Sequence, residues 1–202
     1  MSLWIGEPLV LASKSASRRM LLDAAGIPLI LDPAEIDERA VEQSQAAQAG
    51  AKEVAVLLAR EKALATASRH PNAAVLGADQ TLALGTRRFS KPPSREAARD
   101  QLAALAGETH ELHSAAALVR GGKVVFEAAA TARLTMRPFS AGFIDAYLDA
   151  AGERVTKSVG CYQLEGLGIH LFEKIDGDHF TILGMPLLPL LAYFRAAGMI
   201  RA

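Results

Sequence analysis

Short apolar runs alternate with helical periodicity through the first half of the chain. Residues 9–12 (Leu-Val-Leu-Ala) form a continuous apolar run, which reads as a buried strand. Residues 18–25 follow as a helix, with Met20, Leu21, Ala24 and Ala25 on one face and Gly26 where a C-cap belongs. A second strand is predicted over 28–31. It ends at Asp32-Pro33 and passes into an acidic loop carrying Glu35, Asp37 and Glu38. The longest helical pattern covers 51–68, where Val54, Leu57, Leu58 and Leu64 recur and Glu61 and Lys62 are interspersed. An apolar strand over 73–78 then ends in Asp79, and 80–84 continue extended to a turn at Gly85.

The second half reads differently. Ser94 is placed to cap a helix running to Leu105, with Gly107 as its stop. Residues 110–119 and 123–133 flank Gly121-Gly122, the pattern of a β-hairpin with a tight turn. Ser140 caps a helix to Ala150, 169–175 read as a strand, and Gly184-Met185-Pro186 opens a last helix. Strand–helix alternation interrupted by a hairpin predicts an α/β fold with a mixed sheet.

Composition narrows the classes. The 202 residues suit one domain spanning 1–202, and such a chain buries roughly 70% of its unfolded surface. Twenty-two basic residues balance 22 acidic ones, which argues against a protein that coats nucleic acid. The single cysteine, Cys161, excludes an intramolecular disulfide and a cysteine-only zinc site. No apolar run reaches the length of a membrane span. Lys14, Arg18 and Arg19 follow the first apolar run rather than preceding it, the reverse of a secretory leader. The expectation is a cytoplasmic protein without membrane or nucleic-acid partners.

Four segments carry candidate chemistry. Ser13-Lys14-Ser15-Ala16-Ser17-Arg18-Arg19 joins a strand to a helix start, where free backbone N–H groups, hydroxyls and full positive charges suit phosphate; the Walker A spacing is absent. The alternative is an N-cap serine followed by solvated basic residues. Asp79-Gln80 stands at the predicted carboxyl end of a strand, where open α/β sheets bind ligands, so Asp79 is a candidate general base or divalent-metal ligand. A turn aspartate is the alternative. Lys91 precedes two prolines that stiffen its backbone, as a positioned lysine or an ordinary surface one. Glu165 leads into Gly166-Leu167-Gly168, as an acceptor for a nucleobase edge or part of a simple bend. His110 and His113 lack the H-E-x-x-H spacing and fall on opposite faces of a strand, which disfavours zinc. Cys161 has no basic neighbours in sequence and reads as a buried bystander.

The order of the motifs is more informative than any one of them. Leu-Ala-Ser-x-Ser-x-x-Arg-Arg at 11–19, Ile-Asp-Glu at 36–38, Ala-x-Glu-Lys at 59–62, Gly-Ala-Asp-Gln at 77–80, Lys-Pro at 91–92, Leu-x-Gly-x-Thr-His at 105–110, Glu-Gly-x-Gly-Ile at 165–169 and Gly-Met-Pro at 184–186 together resemble the Maf family of nucleoside triphosphate pyrophosphatases. The resemblance runs from Leu9 to about Leu191. It implies a twisted mixed sheet flanked by helices, in two lobes around a central cleft, similar to inosine triphosphate pyrophosphatases. It implies hydrolysis of a nucleoside triphosphate to monophosphate and pyrophosphate with Mg²⁺ or Mn²⁺, and allows a homodimer. Asp79 matches the family's proton acceptor. Ser13, Arg18, Lys62 and Lys91 match its phosphate-cleft residues, Glu38 an acidic cleft residue, and Glu165 a base-selecting one. Asp79 and Glu38 would hold the metal, while Lys14, Ser15, Arg19 and Gln80 would line the substrate cleft.

The chain departs from that pattern at Ser17, where many members have the first of two arginines. Asp79-Gln80 with Glu165-Gly166 is similar to the branch that prefers 7-methyl-GTP, whereas Asp-Thr with Gln-Gly marks the dTTP and UTP branch. Gln163-Leu164 fits the first branch poorly, so both preferences stay open here. The competing class is a regulator of cell division that binds nucleotide without hydrolysing it.

Overall fold

The computed structural model describes residues 2–45 and 49–201. Seven strands form one mixed sheet: β1 (Leu9–Leu11), β2 (Leu29–Leu31), β3 (Ala74–Leu84), β4 (Arg87–Phe89), β5 (Thr109–Arg120), β6 (Lys123–Met136) and β7 (Phe172–Asp176). Their order is β2-β1-β3-β5-β6-β7, with β4 also on β3. β1 runs parallel to β2 and β3, and every other pairing is antiparallel. The helices are α1 (Ala16–Ala24), α2 (Glu38–Gln45), α3 (Ala51–Ala67), α4 (Arg95–Leu105), α5 (Ala141–Ala151), α6 (His179–Ile182) and α7 (Leu187–Ala196).

The mixed α/β expectation holds, and several boundaries move. Asp79 is not at a strand end. β3 is one eleven-residue strand, because β5 pairs with it continuously from Ala74↔Arg120 to Ala83↔Glu111. Glu38 does not lie in a loop but opens α2, whose first turn is capped by Asp37 accepting the Ala40 N–H at 3.0 Å. The predicted strand over 169–175 begins late, since Leu167–Leu171 coil as a 3-10 turn before β7. The first helix starts at Ala16 rather than 18, because Ser15 is its N-cap. Short β4 and α6 carried no recognisable period and were not predicted.

Three long strands run through two separate cores on one face of the sheet. Leu76 and Ala78 of β3 pack with Leu9, Leu11, Leu22, Leu118 and Phe194, covered by α1 and α7. Leu82 packs with Leu102, Leu112, Leu134 and Leu148, under α4 and α5. These are the two lobes. Between them on the same face lie Gln80 and its cross-strand partner Ser114. The opposite face of β3 and β5 is covered by α3 through Ala55, Ala59 and Ala63 against Val75, Ala115 and Ala117.

In the second core His110 is fully buried, with Nε2 2.8 Å from the Tyr162 hydroxyl and Nδ1 without a partner among the described residues. Burial pushes its imidazole down to about 4 from 6.5, so it is neutral at physiological pH. A lowered histidine pKa favours the native state above the unfolded value and withdraws that support as pH falls through the window between the two. Unfolding free energy should therefore drop by about 3 kcal/mol from this group between about pH 6.5 and pH 4. Urea titrations across that range, compared with His110→Gln, check this: the variant should show a flatter pH dependence.

Candidate active site

The site begins with a gap in the sheet. On one edge of β3, β1 pairs only as far as Leu11↔Leu76, and β4 pairs only from Leu82↔Phe89 onward. Residues 77–81 thus have a strand neighbour on the β5 side alone. This is a crevice beside a strand where the sheet's neighbours change, the place where α/β sheets take ligands.

Two packing facts fill the crevice with charge. Gly77 lies against the α3 backbone: a Cβ there would fall 2.1 Å from the Ala59 carbonyl oxygen and 2.6 Å from the Ala63 nitrogen. The helix runs opposite to the strand, with the Thr81 hydroxyl donating to the Ala51 carbonyl at 2.8 Å near its start. Helical side chains lean toward the N-terminus, so Lys62 reaches from beside Gly77 toward Asp79. Its Nζ stands 2.6 Å from Asp79 Oδ1 and 2.7 Å from Glu38 Oε1, joining α3, β3 and α2 at one ammonium.

Arg18 enters from the other side. Ser15 Oγ accepts the Arg18 backbone N–H, and Ser13 Oγ accepts the Ser15 N–H, so the two serines shape the helix start. The guanidinium is buried. Nη1 donates to Ser13 Oγ at 3.1 Å and the Ala78 carbonyl at 2.9 Å, and Nε donates to the Gly184 carbonyl at 2.8 Å. Burial lowers its pKa, opposed by Asp79 and Glu38. Asp79 is also buried, and desolvation lifts its carboxyl above the usual range against the pull of Lys62 and Arg18. A buried carboxyl raised in this way, in a cleft with specific charged partners, is the profile of a functional base.

The remaining predicted residues divide. Lys14 and Lys91 are exposed and form no ion pair among the described residues. Lys91 follows Phe89 by two residues, just past the end of the β3–β4 pairing. Glu165 is exposed and accepts the Ser17 hydroxyl at 3.2 Å, which ties the 163–168 bend to α1. Arg19 is not part of the cluster; it pairs with Asp23 along the exposed side of α1. Gln80 turns to the face opposite Asp79, where Nε2 donates to Ser114 Oγ and to the carbonyls of Thr181 and Ile182 at 2.9–3.1 Å. Cys161 is buried and its thiol is pushed up to about 12, as a bystander's should be. Sequence reading missed Ser114, Thr181 and the Gly184 carbonyl. The available signal was Ser114 as a polar interruption among Leu112, Ala116 and Leu118 on one strand face.

Residues 8–197 match the family model described as Maf-like protein. The chain belongs to the Maf-like protein family. A nucleoside triphosphate pyrophosphatase of Bradyrhizobium diazoefficiens is 56% identical over 99% of both chains. A 7-methyl-GTP pyrophosphatase of Rhizobium etli is 52% identical over 95% of this chain and 97% of its own. Among solved structures, a nucleoside-triphosphatase / dITP/XTP pyrophosphatase from Mycobacterium abscessus aligns over 95% of this chain and 96% of its own, at 15% identity and a TM-score of 0.42.

The resemblance to Maf implied a divalent cation, and the residues present fit one of a particular kind. No group of three or more metal-ligating side chains gathers among the described residues. Asp79 and Glu38 do converge on the same point, now bridged by Lys62. Two carboxylates, with phosphate oxygens and water completing the shell, suit Mg²⁺ or Mn²⁺ and not a metal caged wholly by protein.

The Gly77 contact is the most sensitive point of this arrangement. Gly77→Ala should force α3 off β3 and destabilise the fold by several kcal/mol, on the scale of an overpacked core or more. Thermal melts monitored by circular dichroism check this, with Gly142→Ala as a control in α5, where an added Cβ meets only the Ser140 hydroxyl at 3.9 Å.

Proposed function

We propose that this Maf-like protein hydrolyses nucleoside triphosphates between the α and β phosphates, giving a monophosphate and pyrophosphate. The single observation that supports this most is the buried Asp79 carboxylate held 2.6 Å from Lys62 at the gap in the sheet. Asp79 takes a proton from a water positioned in the crevice. The water oxygen bonds to the α phosphorus, and the bond from that phosphorus to the bridging oxygen breaks, releasing pyrophosphate. Proton transfer to a positioned base and electrostatic support of the spreading phosphate charge carry such a reaction. Lys62 supplies fixed charge at the reacting phosphate, and the exposed Lys14 and Lys91 meet the outer phosphates. A Mg²⁺ or Mn²⁺ ion held by Asp79 and Glu38 would neutralise phosphate charge. The cluster of Arg18, Lys62, Asp79 and Glu38 balances to zero, so an incoming triphosphate needs the further cations.

The base preference we propose is for 7-methyl-GTP. Ser17 stands where an arginine would face Glu165, and it offers Glu165 a hydroxyl instead of a charge. The carboxylate keeps its negative charge for a base edge. A 7-methylguanine base is cationic and presents adjacent N–H donors at N1 and N2, which suit a carboxylate, whereas a neutral uracil presents a single N–H donor and no charge. The relative from Rhizobium etli named a 7-methyl-GTP pyrophosphatase is consistent with this preference.

Asp79→Asn should leave the fold intact and reduce turnover at least about 100-fold, the usual weight of a general base. Quantifying monophosphate and pyrophosphate with Mg²⁺ or Mn²⁺ over a panel of triphosphates checks it; release of free phosphate would put cleavage at a different bond and count against the proposal, and no turnover with any base would favour a nucleotide-binding regulator. Glu165→Gln should lower the ratio of kcat/KM for 7-methyl-GTP over UTP by about tenfold, the scale of one base-edge contact. An unchanged ranking of bases would remove Glu165 from recognition.

A further inference from the structure

Asp79 acquires its aim from neighbours that point the other way. Strand alternation sends Asp79 to the α3 face and Gln80 to the opposite face, and the crevice leaves this stretch of β3 without a strand on one edge. Such a segment is free to bow unless something else holds it. Besides the Thr81 bond to α3, two tethers do so, one on each side of Asp79. The Ala78 carbonyl is held by Arg18, which also grips the Gly184 carbonyl. The Gln80 amide is held by Ser114 and by the Thr181 and Ile182 carbonyls.

Both tethers end on the same short turn, residues 181–184. This turn sits on the seam between the two cores: Ile182 packs into one and Leu183 into the other. Thr181 is fully buried, and Asp178 caps α6 by accepting its N–H at 2.9 Å. Ser114 closes the bracket. Its hydroxyl donates to the Thr181 carbonyl at 2.7 Å and accepts from Gln80, so it fixes the turn and the strand against each other. Ser114 is fully buried on the seam and lies on the face away from the α3–Asp79 contact.

We infer that Ser114 is a positioning residue for the reaction: with Gln80 and the 181–184 turn it braces the open stretch of β3 from the rear and so aims Asp79 into the crevice. This rests on the proposed role of Asp79 as base. It also gives Gln80 a bracing task on the far face of the sheet.

The test uses the full chain with Ser114→Ala, Ser114→Cys and Ser114→Thr. Ser114→Ala should lower kcat by ~10-fold or more, since small misplacements of a reacting group carry such costs, while KM for 7-methyl-GTP stays within about twofold. Ser114→Thr, which keeps the hydroxyl on a strand-compatible side chain, should recover most of kcat. Ser114→Cys keeps the volume with a weaker donor and should fall between, which preserves the test if the alanine variant folds poorly. Amide exchange in residues 77–81 should rise in Ser114→Ala beyond any global change in melting temperature. A kcat loss matching only the unfolded fraction, a raised KM with kcat kept, or unchanged exchange at 77–81 would each overturn the inference. The exchange measurement also decides it independently of turnover. Wild-type protein that releases no pyrophosphate would defeat the proposed activity, while faster exchange at 77–81 in the alanine variant would still support the brace.

Discussion

The structure depends on the alternation of side chains along β3. Four consecutive residues, Gly77 to Gln80, do four different things because neighbours on a strand face opposite ways. Gly77 admits the α3 backbone, Ala78 lends its carbonyl to Arg18, Asp79 faces Lys62, and Gln80 turns back into the seam between the cores. A one-residue slip against β5 would exchange these faces. Asp79 would then be buried in the seam and Gln80 would meet Lys62. The long, continuous pairing of β3 with β5 fixes the register that prevents this.

Charge at the site is costly and is kept by mutual support. Arg18 and Asp79 are both buried, and each is disfavoured by desolvation. Neither is left alone. Arg18 satisfies main-chain carbonyls that lack strand partners, and Asp79 shares Lys62 with Glu38. Buried charges persist in proteins when they are paired and hydrogen-bonded, and removing one partner leaves the other exposed to the full penalty. The same pairing suits the proposed chemistry. A carboxylate lifted above its ordinary range is a better proton acceptor than a solvated one.

The two lobes share their longest strands but not their cores. This gives a crevice with a rigid floor, since β3 and β5 cross from one lobe to the other. It also explains why a four-residue helix matters. α6 and the residue after it plug the interval between the cores, with Ile182 in one and Leu183 in the other, and the Thr181 carbonyl of α6 accepts from both Gln80 and Ser114. The polar seam has its hydrogen bonds satisfied, so it can stay buried beside the site.

Much of this was legible in the chain itself. Apolar runs marked most of the strands, helical periodicity marked the long α3, Gly121-Gly122 marked the central hairpin, and Ser94 and Ser140 signalled helix starts that the structure repeats through local side-chain caps. These features are set by neighbours in sequence, so sequence reports them. Motif order points to Maf, and the motifs contain Asp79, Lys62, Glu38 and Arg18. What the linear pattern left undecided was non-local. That β3 continues through Asp79 depends on β5, some 35 residues on. That Arg19 turns outward while Arg18 is buried depends on α1 docking. That Ser114 and Gly184 matter depends on a turn 67 residues from Ser114. Local patterning determined which elements form; only the packing of α3, α6 and the two cores on one strand decided which side chains meet, because a burial partner distant in sequence leaves no period to read.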